Sequence, residues 1–417
     1  MQYTNYIIQK RKLYDKFYQF IKNANSSEEE LQNFITFLKT EKYEENLDDF
    51  KLVMHIINSI SSHHNRYQTF IYKIERILLF YSEYIKQSFT KLELFNIFQN
   101  NKLILLYLIE QKIIIVDEII TKMILKKDEN KHLYIRYFYD QYNIREDKSD
   151  NYYKMKRLAY KNYSLYFFPE IKQFLDERQR EEIEEKIKPH IENFEINRHN
   201  GENESYICEL IRKDLVEEFI IYVNKTNLQI SSQINESIFE SNPLLMRKRP
   251  TLIEYAAFFG SIQIFQYLQL TGVNLEPSLW KYIIHGNNPE MIHLLERNGI
   301  IPEDETCIEC FQEAIKCHHN DIANYILDNL MQQNILDTLC DDNFFKNKFS
   351  FGFHYHNYEF IQNCNNFQFI FYYACLYDYL SIIKLLLENK MIDLKQKVVH
   401  LIFFIYRMYI FILQINY

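Results

Sequence analysis

The sequence predicts an all-α chain, a helical amino-terminal region followed by a solenoid of degenerate helix pairs, on three observations. Gly and Pro are scarce, 6 and 7 in 417 residues, about 3% where average usage would supply roughly 12%. Their placement is one-sided: none precedes Pro169, every Gly lies at or after Gly201, and five of the seven Pro fall between Pro243 and Pro302. Apolar residues recur at i, i+3, i+4 and i+7, the mark of helices with one buried face. Collagen-like and Gly/Ser-linker chains are excluded, and β-sandwiches or barrels, which need turn residues every ~8–12 positions, are disfavoured. Part of the bias follows codon composition, since Ile, Asn, Lys, Tyr and Phe have AT-rich codons and Gly, Pro and Ala do not.

Each helix can be justified in turn. Ser27-Glu28-Glu29-Glu30 ahead of Leu31, Phe34, Ile35 and Leu38 has the form of a capping box. Further stripes follow at Phe50, Val53, Met54, Ile57 and Ile60, at Phe70, Ile71, Ile74, Ile77, Leu78 and Tyr81, and at Leu92, Leu94, Phe95 and Phe98. Leu103 to Ile120 is more densely apolar. Glu110, Gln111 and Lys112 interrupt it, so a buried helix is expected rather than a membrane span of about 20 apolar residues. The run Asp176 to Glu182 is highly charged and marks a soft boundary, and the segment from Asn197 to Glu204, with Gly201, reads as a joint. The chain then divides by sequence type into a helical region over 1–195, helix-pair repeats over 205–393 and an apolar tail over 394–417.

The repeats announce themselves by alignment. Thr251 to Leu268 set above Phe369 to Leu386 places a small residue, a turn and an apolar helix in the same order. Two intermediate copies fit without gaps, with Ile283, Met291 and Leu295 in one and Ala314, Ile322 and Ile326 in the next matching Ala256, Ile264 and Leu268. A further degenerate copy fits around Phe344 to Ile361. Chain reversals are expected at Gly260, Gly272, Gly286 and Gly299.

These units resemble ankyrin repeats, whose ~33-residue period carries a Thr-Pro-Leu-His-x-Ala opening. The match lies at Thr251-Leu252-Ile253-Glu254-Tyr255-Ala256-Ala257 with Gly260, and again from Ala374-Cys375 to Glu388-Asn389. Leu252 and Glu254 replace the family's Pro and His, so the opening is expected to cap through Thr251 and Glu254. More narrowly, the stretch from Gly201 to Ile211 followed by Thr251 to Leu268 is similar to the divergent ankyrin proteins expanded in trichomonad-type protists. The resemblance implies a non-enzymatic interaction protein, with a protein partner and no cofactor. Phe95 to Ile114 also reads as a degenerate second helix, which would start the repeats earlier.

The composition narrows the classes of function. Hydrophobic residues are 47% and aromatic residues 16%, with 34 Tyr, 33 Phe and one Trp, enough to fold rather than remain disordered. Net charge is −8. Nucleic-acid binders carry a basic stripe, whereas the basic clusters Lys10-Arg11-Lys12 and Arg247-Lys248-Arg249 are short and read as solvated surface. No nucleic-acid partner is expected. Seven Cys, an odd number, and a start lacking the order of a secretory signal point to reduced thiols and a cytoplasmic or nuclear setting.

Candidate chemistry is sparse. Cys307, Cys310, Cys317 and His319 have spacings that can close a tetrahedral zinc site. The competing reading places the three Cys on the inward stripe of a first helix as small hydrophobes, with His318 and His319 at the interhelical turn. His354-Tyr355-His356 with Cys364 reads as a loop, and His63-His64 as a helix end. Phosphate loops, G-x-S-x-G and H-E-x-x-H are missing, and the pairs Glu181-Glu182 and Glu184-Glu185 read as a solvated face. The function expected is a protein-binding scaffold. Aromatic anchors favour hot spots, which singles out Tyr255, Phe258, Trp280 and Tyr282, with inter-repeat packing as their alternative role. The loops Asn274 to Ser278 and Ile300 to Thr306 are candidate contacts as well. A zinc protein using Cys307/Cys310/Cys317/His319, or a scaffold tethered to a membrane by the tail, are the alternatives. Residues 398–413 would span roughly 24 Å as a helix, short of the ~30 Å hydrocarbon core. Arg407 near its middle would cost about 2.5–3.5 kcal/mol, so membrane association is disfavoured.

Overall fold

The computed structural model describes residues 2–22, 28–63, 68–129, 162–247, 249–304, 306–331, 350–362, 366–377 and 379–392. Among them every regular element is helical, and β pairing is limited to an isolated antiparallel bridge between Gln233 and Thr251. In chain order the α-helices are α1 (Gln2–Lys22), α2 (Glu28–Thr40), α3 (Leu47–His63), α4 (Gln68–Phe80), α5 (Ser82–Ser88), α6 (Lys91–Phe98), α7 (Lys102–Glu110) and α8 (Glu118–Glu129). They continue with α9 (Tyr163–Tyr166), α10 (Phe168–Ile171), α11 (Glu177–Ile187), α12 (Phe194–Asn200), α13 (Tyr206–Arg212), α14 (Val216–Thr226) and α15 (Pro243–Arg247). The last are α16 (Leu252–Phe259), α17 (Ile262–Leu270), α18 (Leu279–Gly286), α19 (Pro289–Arg297), α20 (Ile308–Lys316), α21 (Asn320–Tyr325), α22 (Phe367–Leu376) and α23 (Leu380–Glu388). Two compact units result, unit 1 from Met1–Ile60, Arg66–Ile77 and Ile292–Tyr417, and unit 2 from Ser61–Asn65 and Leu78–Met291.

Unit 2 is built from short helix pairs with a common closure. In α13/α14 and α16/α17 the residue before the second helix donates its N–H five residues back, Leu215 to the Leu210 carbonyl at 3.0 Å and Ser261 to Ala256 at 2.9 Å. The residue just ahead of it is left-handed, Asp214 at φ 51° and Gly260 at φ 70°. The ends of α7, α14 and α17 repeat the same 6→1 bond, from Ile113 to Leu108 at 2.9 Å, Leu228 to Val223 at 3.1 Å and Val273 to Leu268 at 3.1 Å. These are Schellman closures, which satisfy carbonyls that a helix end leaves bare. At the start of α16 the expected capping box is present: the Thr251 hydroxyl accepts from the Glu254 N–H at 3.3 Å, and Glu254 accepts from the Thr251 N–H at 2.7 Å. Thr90 and Glu93 form a second one at α6. The dense apolar stretch after Leu103 is the nearly all-buried α7, which ends at Glu110.

Gly286 corrects the list of expected reversals. It is the last residue of α18, and the left-handed turn belongs to Asn287 at φ 52°. A Cβ on Gly286 would lie 2.7 Å from the Ala257 carbonyl oxygen and 2.8 Å from that of Phe258, so Gly is needed there for the close approach of α18 to α16.

Unit 1 joins the first helices of the chain to helices between residues 308 and 388. α1 packs on α2 and α23. Lys10, expected on the solvated surface, is 1% exposed and pairs with Asp49 at 2.6 Å, its ammonium also lying over the rings of Tyr6 and Tyr43. A charge leaves water only when paired, and α3 supplies the partner. Lys12 and Arg11 stay more exposed, paired with Glu41 and Glu359. The pairs α20/α21 and α22/α23 show the unit 2 closure, with His319 N–H to Ala314 at 3.0 Å and Tyr379 N–H to Ala374 at 2.8 Å. In the expected degenerate copy, residues 350–354 are helical and Asn357 donates to the Gly352 carbonyl at 2.8 Å. Residues 332–349, Ser27 and the tail from 393 onward lie outside the described residues. Among the described residues no helix is long and apolar enough to cross a membrane.

Candidate functional site

The four aromatic residues expected as partner anchors are core residues of unit 2. Tyr255, Trp280 and Tyr282 are each 1% exposed and Phe258 is 2%. The Tyr255 hydroxyl accepts from Arg212 at 2.9 Å, and the Phe258 ring lies 4.7 Å from that of His285. Their helices are short and bury more than one face, so aromatic groups on either side of the stripe fill the space between neighbouring helices. They hold α16 and α18 in place and present nothing to a partner.

The cysteine cluster has a similar explanation. Cys310 and Ala314 are buried on α20, Cys307 precedes the helix, Cys317 follows it, and His318 and His319 form the turn to α21. The four proposed ligands Cys307, Cys310, Cys317 and His319 do not converge as a ligand set. The Cys307 thiol donates to the Leu330 carbonyl at 3.9 Å and that of Cys317 to Glu313 at 3.7 Å. Burial pushes the Cys307 thiol up to about 11 and that of Cys317 well above its usual value, so both are neutral thiols in this environment.

In unit 2, ligand-type side chains converge at Glu110, Glu195 and His199. A cation already holds that position: Arg198, 2% exposed, places its guanidinium 2.8 Å from Glu195, 2.8 Å from Glu170 and 3.9 Å from Glu110. The cluster is an ion-pair network that fixes α12 against α10.

What unit 2 does present is a groove of about 1210 Å³ between α10, α11 and α12. Phe168, Ile187, Ile191 and Phe194 give it an apolar lining, and Ile191 is 64% exposed. Five carboxylates line it, those of Glu181, Glu182, Glu184, Glu185 and Glu195, against the ammonium groups of Lys186 and Lys188. Glu182 pairs with Arg178 at 3.1 Å and Glu195 with Arg198. Glu181, Glu184 and Glu185 have no ion-pair partner among the described residues and face solvent. The Asp176/Gln179 capping box and the burial of Ile183 and Ile187 hold α11 in this position. These glutamates are exposed, as expected of a solvated face, and also border the groove. The signal in the sequence is the apolar pair Ile191 and Phe194 directly after the charge-rich helix. No family model, curated protein or solved structure matches the chain.

Proposed function

We propose that the chain is a non-enzymatic protein-binding scaffold built on ankyrin-like helix pairs. The observation that carries this reading is the recurrence of one closure, an N–H donated five residues back into the first helix, at Leu215, Ser261, His319, Asn357 and Tyr379. The aligned core positions support the same register: Ala256, Ile264 and Leu268, Ile283, Met291 and Leu295, and Ala314, Ile322 and Ile326 are all buried. Repeated pairs of this kind bury a shared core and leave extended surface for recognition.

The groove over α10 to α12 suits a basic, partly apolar helical segment of the partner. Its unpaired carboxylates would meet Lys or Arg, and its isoleucine and phenylalanine lining the apolar face. The test uses a synthetic amphipathic helix, lysines on one face and leucines on the other, titrated into the full-length protein. Glu181→Lys, Glu184→Lys and Glu185→Lys combined are expected to weaken binding at least about tenfold, with a steep salt dependence in the parent. The double reversal Glu217→Lys with Glu218→Lys on α14 is the control for charge alone. Equal loss in both variants, or none in the first, would remove the groove from the reading.

A further inference from the structure

Unit 1 brings three histidines from distant parts of the chain to the contact between its amino-terminal helices and its late interhelical turns. The ring of His55 on α3 stacks on that of His356 at 4.4 Å, and the ring of Tyr14 on α1 stacks on His318 at 4.0 Å. We propose that these stacks form an acid-sensitive latch, closed while the imidazoles are neutral, that releases α1 and α3 from the turns at His318 and His356 when they are protonated. This goes beyond the scaffold reading and does not depend on it.

The hydrogen bonds leave His318 no acceptor for a second proton and set the donor nitrogen of His356. His318 is 6% exposed; its Nε2–H donates to the Tyr355 carbonyl at 2.8 Å, which leaves Nδ1 as the bare nitrogen, buried and without a partner. A proton there would have no acceptor. The Tyr379 hydroxyl donates to the Phe353 carbonyl at 2.7 Å, so the 2.7 Å contact between that hydroxyl and His356 Nδ1 requires His356 to donate. His356 therefore carries a proton on Nδ1.

Among the described residues no carboxylate is ion-paired with His55, His318 or His356. Lys51 of α3 faces both His55 and His356, while His318 and His354 also oppose charge on His356, His319 opposes it on His318, and Lys316 opposes it on His354. Of the carboxylates on the packed elements, Asp49 pairs with Lys10, Asp48 with Lys384 and Ser381, Glu359 and Asp15 with Arg11, and Glu313 with Lys316. Tyr14 and Tyr379, buried and held far above their usual range by that burial, stay neutral. Burial depresses His55 to about 4, His318 to about 3 and His356 well below its ordinary value.

The sign follows. The closed state excludes protons that the released state takes up, so closure is complete above about pH 6.5 and weakens as pH falls below it. Each histidine that charges only on release favours release by up to tenfold per pH unit.

Hydrogen exchange of the full-length protein from pH 7 to pH 4.5, corrected for intrinsic rates, tests this. Peptides from 2–22 and 47–60 are expected to lose protection together on acidification, while those from 252–270 in unit 2 keep theirs. His55→Phe with His356→Phe should flatten the pH dependence of opening by up to about a hundredfold per unit, and His199→Phe in unit 2 should leave it unchanged. Histidine NMR of the unaltered chain is independent of any folding defect in the variants, and His55 and His318 should stay neutral until release. Titration of either near pH 6.5 in the closed protein, uniform loss of protection in both units, or an unchanged slope in the double variant would overturn the latch.

Discussion

Two residue types show how much a single position decides here. Gly286 is needed for space and Gly272 for conformation, since Gly272 sits at φ 94° with nothing within 4 Å of an added Cβ. Gly286→Ala drives a methyl into two backbone carbonyls that cannot swing aside, and overpacking of this kind costs about 1–3 kcal/mol. Gly272→Ala pays only for the left-handed backbone, about 1 kcal/mol. Urea denaturation of the two variants should therefore rank Gly286→Ala as the more destabilised. The cysteines give a second prediction at this scale. Cys208, Cys307, Cys310, Cys317 and Cys375 are buried thiols outside any disulfide, with Cys208 and Cys307 raised to about 11 by burial. In a chain carrying Cys340→Ser and Cys364→Ser, a maleimide at pH 7 should label these five only as fast as the protein opens. Prompt labelling of Cys307 or Cys317 in the native state would contradict their burial, and zinc protection reversed by a chelator would revive the metal site.

At the scale of elements, the capping box of α16 does more than start a helix. Glu254 accepts from Thr251 on one side and from the Ser278 hydroxyl at 2.6 Å on the other, tying α16 to the approach of α18. Thr251→Ala should cost about 1 kcal/mol. Glu254→Ala should cost more, because it leaves both donors unmet, and the two losses should be less than additive in a double-mutant cycle. This cap was legible in the sequence because its residues are three apart and its chemistry is local. So were the turns at Gly260, Gly272 and Gly299 and the buried register of Ala256, Ile283 and Ala314. Other turns carry a weaker signal because the left-handed position is filled by Lys112 or Lys390, which have no turn signature, or by Asp214 or Asn287, which tolerate it but mark it less sharply than Gly. Asp214 persists there for a reason that only the fold reveals, since its carboxylate accepts from the N–H groups of Gln263 at 3.1 Å and Ile264 at 3.0 Å at the start of the next pair's second helix. The aromatic anchors failed for a related reason: periodicity identifies an apolar face but not how many neighbours will cover it.

At the scale of the molecule, the feature no local pattern could supply is the pairing of the first helices with residues that follow 333 to 358 positions later. Tyr3 donates its hydroxyl to the Ile361 carbonyl at 3.3 Å, Arg11 pairs with Glu359 at 2.6 Å, and Asp48 accepts from Ser381 and Lys384, both at 3.3 Å. Exposed ion pairs of this sort contribute little individually. The binding of α1 comes from apolar and aromatic burial, with Ile7, Leu13 and Phe17 at 0% exposure. Burying such side chains is worth about 1.5–3 kcal/mol each, so their combined loss exceeds any single defect considered above. Deletion of residues 2–22 should therefore unfold much of unit 1, seen as lost ellipticity and new binding of a hydrophobic dye. The chain's single tryptophan, Trp280, lies buried in unit 2 and reports that unit alone. Its emission should stay blue-shifted in the deleted protein. A red shift would show that unit 2 cannot hold its fold without unit 1, and unchanged ellipticity would show that α1 is dispensable to unit 1.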